Sequence, residues 1–513
     1  MAKGIRWGLP LNMQIHVRAA CRDIPHHLKS KKRPRRYEVK IRMTLGGLLV
    51  ATTAVMVGQT HSDAVAARGG SLAGGAPDVI VGSLHEVERY GQYQGITSYS
   101  VGTTSCNQGN AFLDWEASNN SHPTIGQNAY RFTTLDNGCT RLEHIGRSFL
   151  KHGFCALQYT LCGSCSNPSG GGCDDQLGYN CSDPYDSYWN GQQNNLGPSK
   201  NVNASTGYFP YPFSAPSYQG TIGRRLQILT SDVAPSSWPN SQFFVEGMYT
   251  HPQDAAACKG YNNASYRPVG FSGSGNNGYN MNLQSTTRQM QPAVYAWSEM
   301  DSDVKVRRLN LGACSTTGLN QSYYLASKVC DLGDGTYQYE YALYNMDCDV
   351  SFNRFEVPAG GNISNAEQRF APYHSGEEIN NDLWSKSFDA ASGNYSFWCA
   401  NEDDDDAASA IRWNSMHNFS FISSDAPVDG EVTLGLYKTN GEEIIVSNVV
   451  VPNADVIEYC DGDINEDGGV DGEDLANVLA YWGQNSGGDL NGDGTTDGQD
   501  LAMVLGNWGC SSL

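Results

Sequence analysis

A pattern of 22 residues closes the chain twice, 26 residues apart: "GDINEDGGVDGEDLANVLAYWG" from Gly462 and "GDLNGDGTTDGQDLAMVLGNWG" from Gly488. Oxygen-bearing side chains recur at fixed places. Asp463, Asn465, Asp467, Asp471 and Asp474 hold loop positions 1, 3, 5, 9 and 12, and Asp489, Asn491, Asp493, Asp497 and Asp500 repeat them. Gly468 and Gly494 stand at position 6, where a sharp turn is needed, and Gly469 and Thr495 at position 7 offer backbone carbonyls. Ca²⁺ takes six to eight hard oxygen ligands, and alternate residues of such a loop point inward. Acidic runs are ordinarily solvated tails, but a solvated tail has no reason to match six positions twice. The expectation is two Ca²⁺ ions, one per loop.

Each loop runs into an amphipathic stretch. Leu475, Val478, Leu479 and Trp482 fall at i, i+3, i+4 and i+7, and Leu501, Val504, Leu505 and Trp508 repeat them. That spacing predicts a helix with one apolar stripe. Gly483 and Gly509 then suit left-handed C-caps, and the two stripes are expected to face each other. A loop followed by a helix, twice, with no helix ahead of either loop and Asp at position 12, resembles the dockerin type I module over residues 463–509. The resemblance implies two bound Ca²⁺, a two-fold pair of helices, and attachment of an extracellular, polysaccharide-associated protein to a cohesin-like scaffold. Two features depart from the family's pattern. Loop positions 10 and 11 hold Gly472–Glu473 and Gly498–Gln499, and the segment 460–513 contains no Lys or Arg. Thr496 stands at position 8, where Val470 is the apolar counterpart, so the second loop is expected to be the weaker.

The other end of the chain reads as an export signal. Residues 1–42 hold twelve basic residues, the run 43–58 is apolar, and Ala-Val-Ala ends at Ala66. A basic region, a short apolar core and small residues make a secretory signal over 1–66; the core is short for a membrane span. The whole chain carries a net charge of −21. Without residues 1–66 it keeps 21 basic and 51 acidic residues, a net of −30. Such an excess argues against nucleic acid and anionic membrane as partners. Fourteen of the fifteen cysteines follow Ala66, and an even number in an exported chain predicts complete pairing into disulfides. Cys460 and Cys510 flank the repeats and are expected to bond to each other. Cys162, Cys165, Cys173 and Cys181 could begin a zinc site, but their loose spacing favours disulfides that also involve Cys139 and Cys155.

Between these ends the fold class is mainly β. Residues 77–320 read as an irregular, disulfide-containing β domain, with strands at 96–106, 224–233, 242–250 and 304–314. The stretch 156–220 has little periodicity and is expected to be loop pinned by disulfides. Residues 323–454 alternate more regularly, as in a β-sandwich. Residues 460–513 form the small helical module.

Chemistry is harder to place. His85, His122, His144, His152, His251, His374 and His417 follow the signal, but none sits in a His-x-His or His-Glu-x-x-His spacing. The bland reading, hydrogen-bonded or surface imidazoles, outweighs a copper or zinc site. The acidic run 401–406 lacks the alternation and the turn glycine of the terminal loops. Carboxylates are too many to nominate a glycosidase pair, which separation in space defines, and no nucleophile elbow or phosphate loop occurs. The leading expectation is a secreted calcium-binding protein that degrades or attaches to polysaccharide. A non-catalytic surface protein and a metal-dependent extracellular enzyme are the alternatives. If the chain is an enzyme, hydrolysis of glycosidic bonds is the first expectation. Amino-terminal sequencing of the exported protein is expected to read from Ala67; intact residues 1–42 would contradict the signal.

Overall fold

The strand Tyr337–Asn345 sets the layering. Tyr337, Tyr339, Tyr341 and Leu343 point to one face, and Gln338, Glu340, Ala342 and Tyr344 to the other, since successive side chains in a strand alternate. All but Tyr337 are buried, so both faces of the sheet that contains the strand are covered. The computed structural model describes residues 75–513, except 194–195, 197, 214–216, 313–320, 361, 375–376, 440, 454–461, 466, 468, 485–486, 492 and 511–513. The expected signal region therefore lies outside the described residues.

The described chain is mainly β, in three principal antiparallel sheets with few helices. The middle sheet runs in the order Lys305–Leu311, Gln321–Asp331, Tyr337–Asn345, Ser415–Ser423, Ile363–Phe370. Its first strand lies in the stretch before 320. The outer sheet runs Ser385–Asp389, Asn394–Trp398, Phe352–Pro358, Pro427–Leu436, Glu443–Pro452. Tyr339, Tyr341, Leu343 and Phe419 from the middle sheet meet Phe355, Phe397 and Leu434 from the outer one, and Phe355 stacks on Phe419 at 4.6 Å. This pair of sheets is the β-sandwich.

The other face of the middle sheet packs on a larger sheet of ten strands. Its main path runs Val79–Tyr93, Ile96–Asn107, Leu226–Leu229, Thr140–Arg147, Thr124–Thr134, Ser241–Thr250, Ala264–Ser272, Asn280–Leu283. Tyr130, Leu142, Phe244 and Met248 from this sheet share a core with Tyr324, Ala342, Tyr344 and Met416 from the middle one. On its far side the large sheet curls on itself. The strand Val79–Tyr93 is irregular at three places and packs back across Ser241–Thr250, Ala264–Ser272 and Asn280–Leu283, around Val79, Val81, Tyr99, Val101 and Val245. Bulges bend and twist a strand in this way.

Polar residues caught between the large and middle sheets are paired. Arg141 donates from Nε and Nη2 to Glu340 at 2.7 and 2.5 Å, with both side chains buried. Glu246 accepts from Tyr130 Oη at 2.9 Å, Tyr344 Oη at 3.2 Å, Asn128 Nδ2 at 3.1 Å and the Ala293 N–H at 2.6 Å. A disulfide, Cys139–Cys330, joins the same two sheets.

The other described disulfides are Cys106–Cys162, Cys155–Cys173 and Cys165–Cys181. The Cys162/Cys165 cluster is thus disulfide-bonded, while Cys139, expected to join it, bonds to the middle sheet. Complete pairing does not hold: Cys348 and Cys399 are thiols. Both pack in the sandwich core, where burial pushes the Cys399 thiol up to about 12 and raises that of Cys348 as well. Cys510 is disulfide-bonded, but its expected partner Cys460 lies outside the described residues.

Removing Glu340 strands the Arg141 guanidinium in the interface. Glu340→Ala is expected to lower the unfolding free energy by about 3–5 kcal/mol. The double change Arg141→Met/Glu340→Leu is expected to lose much less, because no uncompensated charge remains. Denaturant unfolding of the three proteins measures both.

Candidate functional site

The two terminal loops close by the same hydrogen bonds. In the first, Asp474 Oδ1 accepts from the Ile464 N–H at 2.8 Å and the Asn465 N–H at 3.4 Å, and Oδ2 accepts from the Asp471 N–H at 2.8 Å. In the second, Asp500 Oδ1 accepts from Leu490 at 2.8 Å and Asn491 at 3.2 Å, and Oδ2 from Asp497 at 2.8 Å. Position 12 is therefore a buried carboxylate in both, tying the start of each loop to its helix. Positions 1, 3 and 5 repeat as well. The Asp467 N–H donates to Asp463 Oδ1 and Asn465 Oδ1 at 3.2 and 3.0 Å, and the Asp493 N–H to Asp489 Oδ1 and Asn491 Oδ1 at 3.1 and 2.8 Å. Asp467 Oδ1 and Asp493 Oδ1 accept from the N–H groups of Gly469 and Thr495, at 3.1 and 3.0 Å. Gly494, at position 6, has φ +94°, a left-handed conformation that favours glycine.

Each loop delivers its chain into a helix, Gly472–Ala480 or Gly498–Gly506. Asp471 and Asp497, at position 9, are the N-caps, and Asp474 and Asp500 complete reciprocal capping boxes. Gly483 and Gly509, expected as left-handed terminators, have φ +75° and +83°. The repeats then exchange backbone hydrogen bonds. The Val470 N–H donates to Cys510 O and the Gly509 N–H to Val470 O, each at 2.9 Å; the Thr496 N–H donates to Gln484 O at 2.7 Å and the Gly483 N–H to Thr496 O at 2.8 Å. Position 8 of each loop is thereby bound to the end of the other repeat's helix, a two-fold arrangement.

The core beneath is small. Val470, Val478 and Val504 are buried, with Ile464, Leu475, Leu490 and Leu501 packed against them. The expectation of fully facing stripes is corrected here. Only Leu475/Val478 and Leu501/Val504 turn inward, whereas Leu479, Trp482, Leu505 and Trp508 are about half exposed. Among the described residues each nine-residue helix packs on one other helix, and Trp482 and Trp508 lie beyond the ends of their helices, so the stripe outruns that contact.

The donor chemistry of the loops suits a hard cation, being oxygen alone. The backbone N–H of Asp497, with those of Asn491 and Leu490, holds the Asp500 carboxyl below its usual range. Among the described residues no three His, Cys, Asp or Glu side chains stand close enough to share an ion; the loop carboxylates are spread around the turn on backbone N–H groups. Those at positions 1, 5 and 9 are solvent-accessible.

The histidines are distributed as hydrogen-bonding and packing groups. His251 accepts the Gln253 N–H at Nδ1 and reaches Asp114 O from Nε2 at 2.8 Å. His144 lies between Gly146 O and the Met416 N–H. His122 and His152 pack with ring centres 5.0 Å apart, and burial lowers both, His122 to about 3 and His152 to about 4.

Two clefts were invisible to sequence reasoning, because their residues lie far apart along the chain. One, of about 410 Å³, holds Glu143, Asp232, Trp238 and Arg369. Its carboxylates are both tied to Arg131, Glu143 at 2.6 Å and Asp232 at 3.6 Å, and Arg369 reaches Glu143 at 3.3 Å. Glu143 is thus an ion-pair hub. The other, of about 380 Å³, lies on the outer sheet among Asn353, Arg354, Glu356, Ser396, Trp398 and Asn401. No family model matches the chain, and comparison with characterised proteins finds no match.

Thr496 marks the asymmetry between the loops. Its backbone mirrors Val470, but its Oγ1 is buried without a hydrogen-bond partner. An orphaned polar group costs about 1–3 kcal/mol. Thr496→Val is therefore expected to stabilise the repeats by about 1–2 kcal/mol, and Val470→Thr to destabilise them by a similar amount. The shift of the helical circular dichroism melt in the full chain tests both signs.

Proposed function

We propose that the protein is secreted, that its terminal repeats bind two Ca²⁺ ions, and that it works attached to, or on, extracellular polysaccharide. The observation that carries the calcium reading is the identity of the two loops at the level of individual hydrogen bonds: the same carboxylates, at the same positions, close both turns. Asp463, Asn465, Asp467, Gly469, Asp471 and Asp474 would hold one ion, and Asp489, Asn491, Asp493, Thr495, Asp497 and Asp500 the other. Four carboxylates crowd each loop with no basic residue in the segment, so a divalent cation relieves their repulsion and its binding energy becomes folding energy.

The four disulfides between described residues fit an oxidising compartment, which supports export. Among the described residues no helix is long and apolar enough to cross a membrane. The exposed Leu479/Trp482 and Leu505/Trp508 pairs give the repeats two symmetry-related apolar faces, which support docking to a cohesin-like scaffold. The polysaccharide reading draws support from the outer-sheet cleft, where an exposed Trp398 stands beside guanidinium, carboxylate and amide groups. An aromatic face against sugar C–H groups, with planar polar side chains for the hydroxyls, is the complementarity a glycan needs.

Calorimetric titration of the chelator-treated full chain is expected to give two Ca²⁺ per molecule. The paired changes Asp463→Asn and Asp489→Asn are expected to weaken one site each by about tenfold or more, as charged oxygen ligands are lost. A stoichiometry near zero would overturn the calcium reading. Two ions bound with no retention on any cohesin would leave calcium in place and remove scaffold attachment.

A further inference from the structure

The outer sheet turns one face away from the sandwich core, and strand pairing lines up the side chains of that face. Trp398 stands opposite Ser385 on one neighbour and Arg354 on the other, Arg354 stands opposite Gly435, and Gly435 opposite Glu443. Partners across a ladder share a face, so these residues form one row over the sheet, while Phe355, Phe397 and Leu434 fill the buried side. Gly435 puts no side chain into the row, and a Cβ there would meet Arg354 Cβ at 2.8 Å. Trp398, Arg354 and Gly435 line the cleft of about 380 Å³ together with Glu356, Asn401 and Glu442. Trp398 is 37 % exposed.

The cleft's guanidinium is already matched. Arg354 donates from Nη2 to Glu443, and its Nε lies 3.8 Å from Glu356. Glu356 also accepts from Asn394 Nδ2 at 3.0 Å and the Ser396 hydroxyl at 2.5 Å. No other Lys, Arg or His lines the cleft. Glu442 is left over: it is exposed, and among the described residues no cation or hydrogen-bond donor reaches its carboxylate. The acidic run 402–406 continues from Asn401 at the cleft wall. Its start is fixed to the outer sheet, where the Glu402 N–H donates to Tyr437 O at 3.0 Å. Asp403 and Asp404 are exposed, and among the described residues no cation pairs with either.

Surplus negative charge beside an exposed indole decides which sugar can stack there. Uronates are repelled, neutral sugars gain nothing from the carboxylates, and protonated amino sugars gain from each of them. We propose that this cleft recognises a glycan with free amino groups, one sugar ring lying on Trp398 with its ammonium beside Glu442, and further ammoniums along the polymer facing Asp403 and Asp404. This specificity rests on the polysaccharide reading of the same cleft. It also gives the acidic run, which lacks the spacing of a calcium loop, a role set by its place in the fold.

Three oligosaccharides that share one β-1,4 backbone and differ only at C2 separate charge from stacking. They are the hexamers of glucose, N-acetylglucosamine and glucosamine, titrated calorimetrically into the full chain at mildly acidic pH, where the glucosamine amines are protonated. The glucosamine hexamer is expected to bind about tenfold tighter than the other two, the order that a few exposed ion pairs supply, and the margin is expected to shrink at high salt. Glu442→Gln/Asp403→Asn is expected to reduce that preference to about threefold or less and to leave the glucose hexamer unchanged. Asp331→Asn/Asp334→Asn removes as much charge from a middle-sheet hairpin that does not line the cleft, and is expected to leave the preference intact. Trp398→Ala is expected to weaken all three hexamers by about threefold or more. Equal affinities, a preference for a neutral hexamer, an unchanged preference in Glu442→Gln/Asp403→Asn, or an equal loss in the two paired variants would overturn the amino-sugar specificity and leave the glycan cleft standing. No binding of any hexamer, or unchanged affinities in Trp398→Ala, would remove the polysaccharide reading of this cleft and the specificity with it.

Discussion

The middle sheet is covered on both faces, and the Arg141–Glu340 pair shows what that burial demands. A strand whose two faces both meet protein has no solvent side on which to place a charge. Glu340 falls on the face toward the large sheet because Tyr339 and Tyr341, its neighbours in sequence, take the sandwich face. Its charge is tolerated only because Arg141 arrives from the large sheet with two parallel N–H groups, the geometry that matches a carboxylate best. Glu246 meets the same demand with four neutral donors from strands and loops of both layers. Such buried polar pairs add little net stability over apolar packing. Their physical effect is on register: a slip of either sheet by one residue would leave a charge unpaired in the interface.

The terminal repeats obey the opposite economy. Three buried valines cannot set a fold, so backbone and carboxylates do the organising: caps at position 9, a buried carboxylate at position 12, and the reciprocal bridges at position 8. Nearly all the polar capacity of the buried aspartates is spent on N–H groups. What remains accessible is the set of carboxylates at positions 1, 5 and 9. These repeats therefore rest on backbone and carboxylate hydrogen bonds, whereas the layered body of the protein rests on aromatic and aliphatic packing.

Legibility in the sequence followed from how local each signal was. Strand Tyr337–Asn345 was readable from its alternation, and the loops from fixed spacing, because both patterns are set by neighbours a few residues apart. That the second face of the same strand is buried was not readable. Gln338, Glu340 and Ala342 look like a solvent face until Arg141, some two hundred residues away, supplies the partner. Half of each terminal helix stripe was misplaced for a related reason: periodicity reports which residues are apolar, and the number of neighbouring elements decides how many of them are covered. Cysteine parity failed at Cys348 and Cys399 because an even count cannot distinguish a bond from two thiols that behave as small hydrophobes.

The cysteines also separate the two ways in which this chain holds its shape. Where the layers are thick, the thiols of Cys348 and Cys399 stay reduced and pack among Phe352, Phe397 and Trp384; burial suppresses the thiolate through which exchange would begin. Where the chain leaves the layers, between residues 155 and 181, aromatics are exposed and disulfides replace the missing core. Among the disulfides whose two halves are described, Cys139–Cys330 joins two layers that already share a core. Three of the four described disulfides thus lie where packing is thinnest. The irregular segment that exposes Tyr159 and Leu161 is held by three covalent constraints in place of a core.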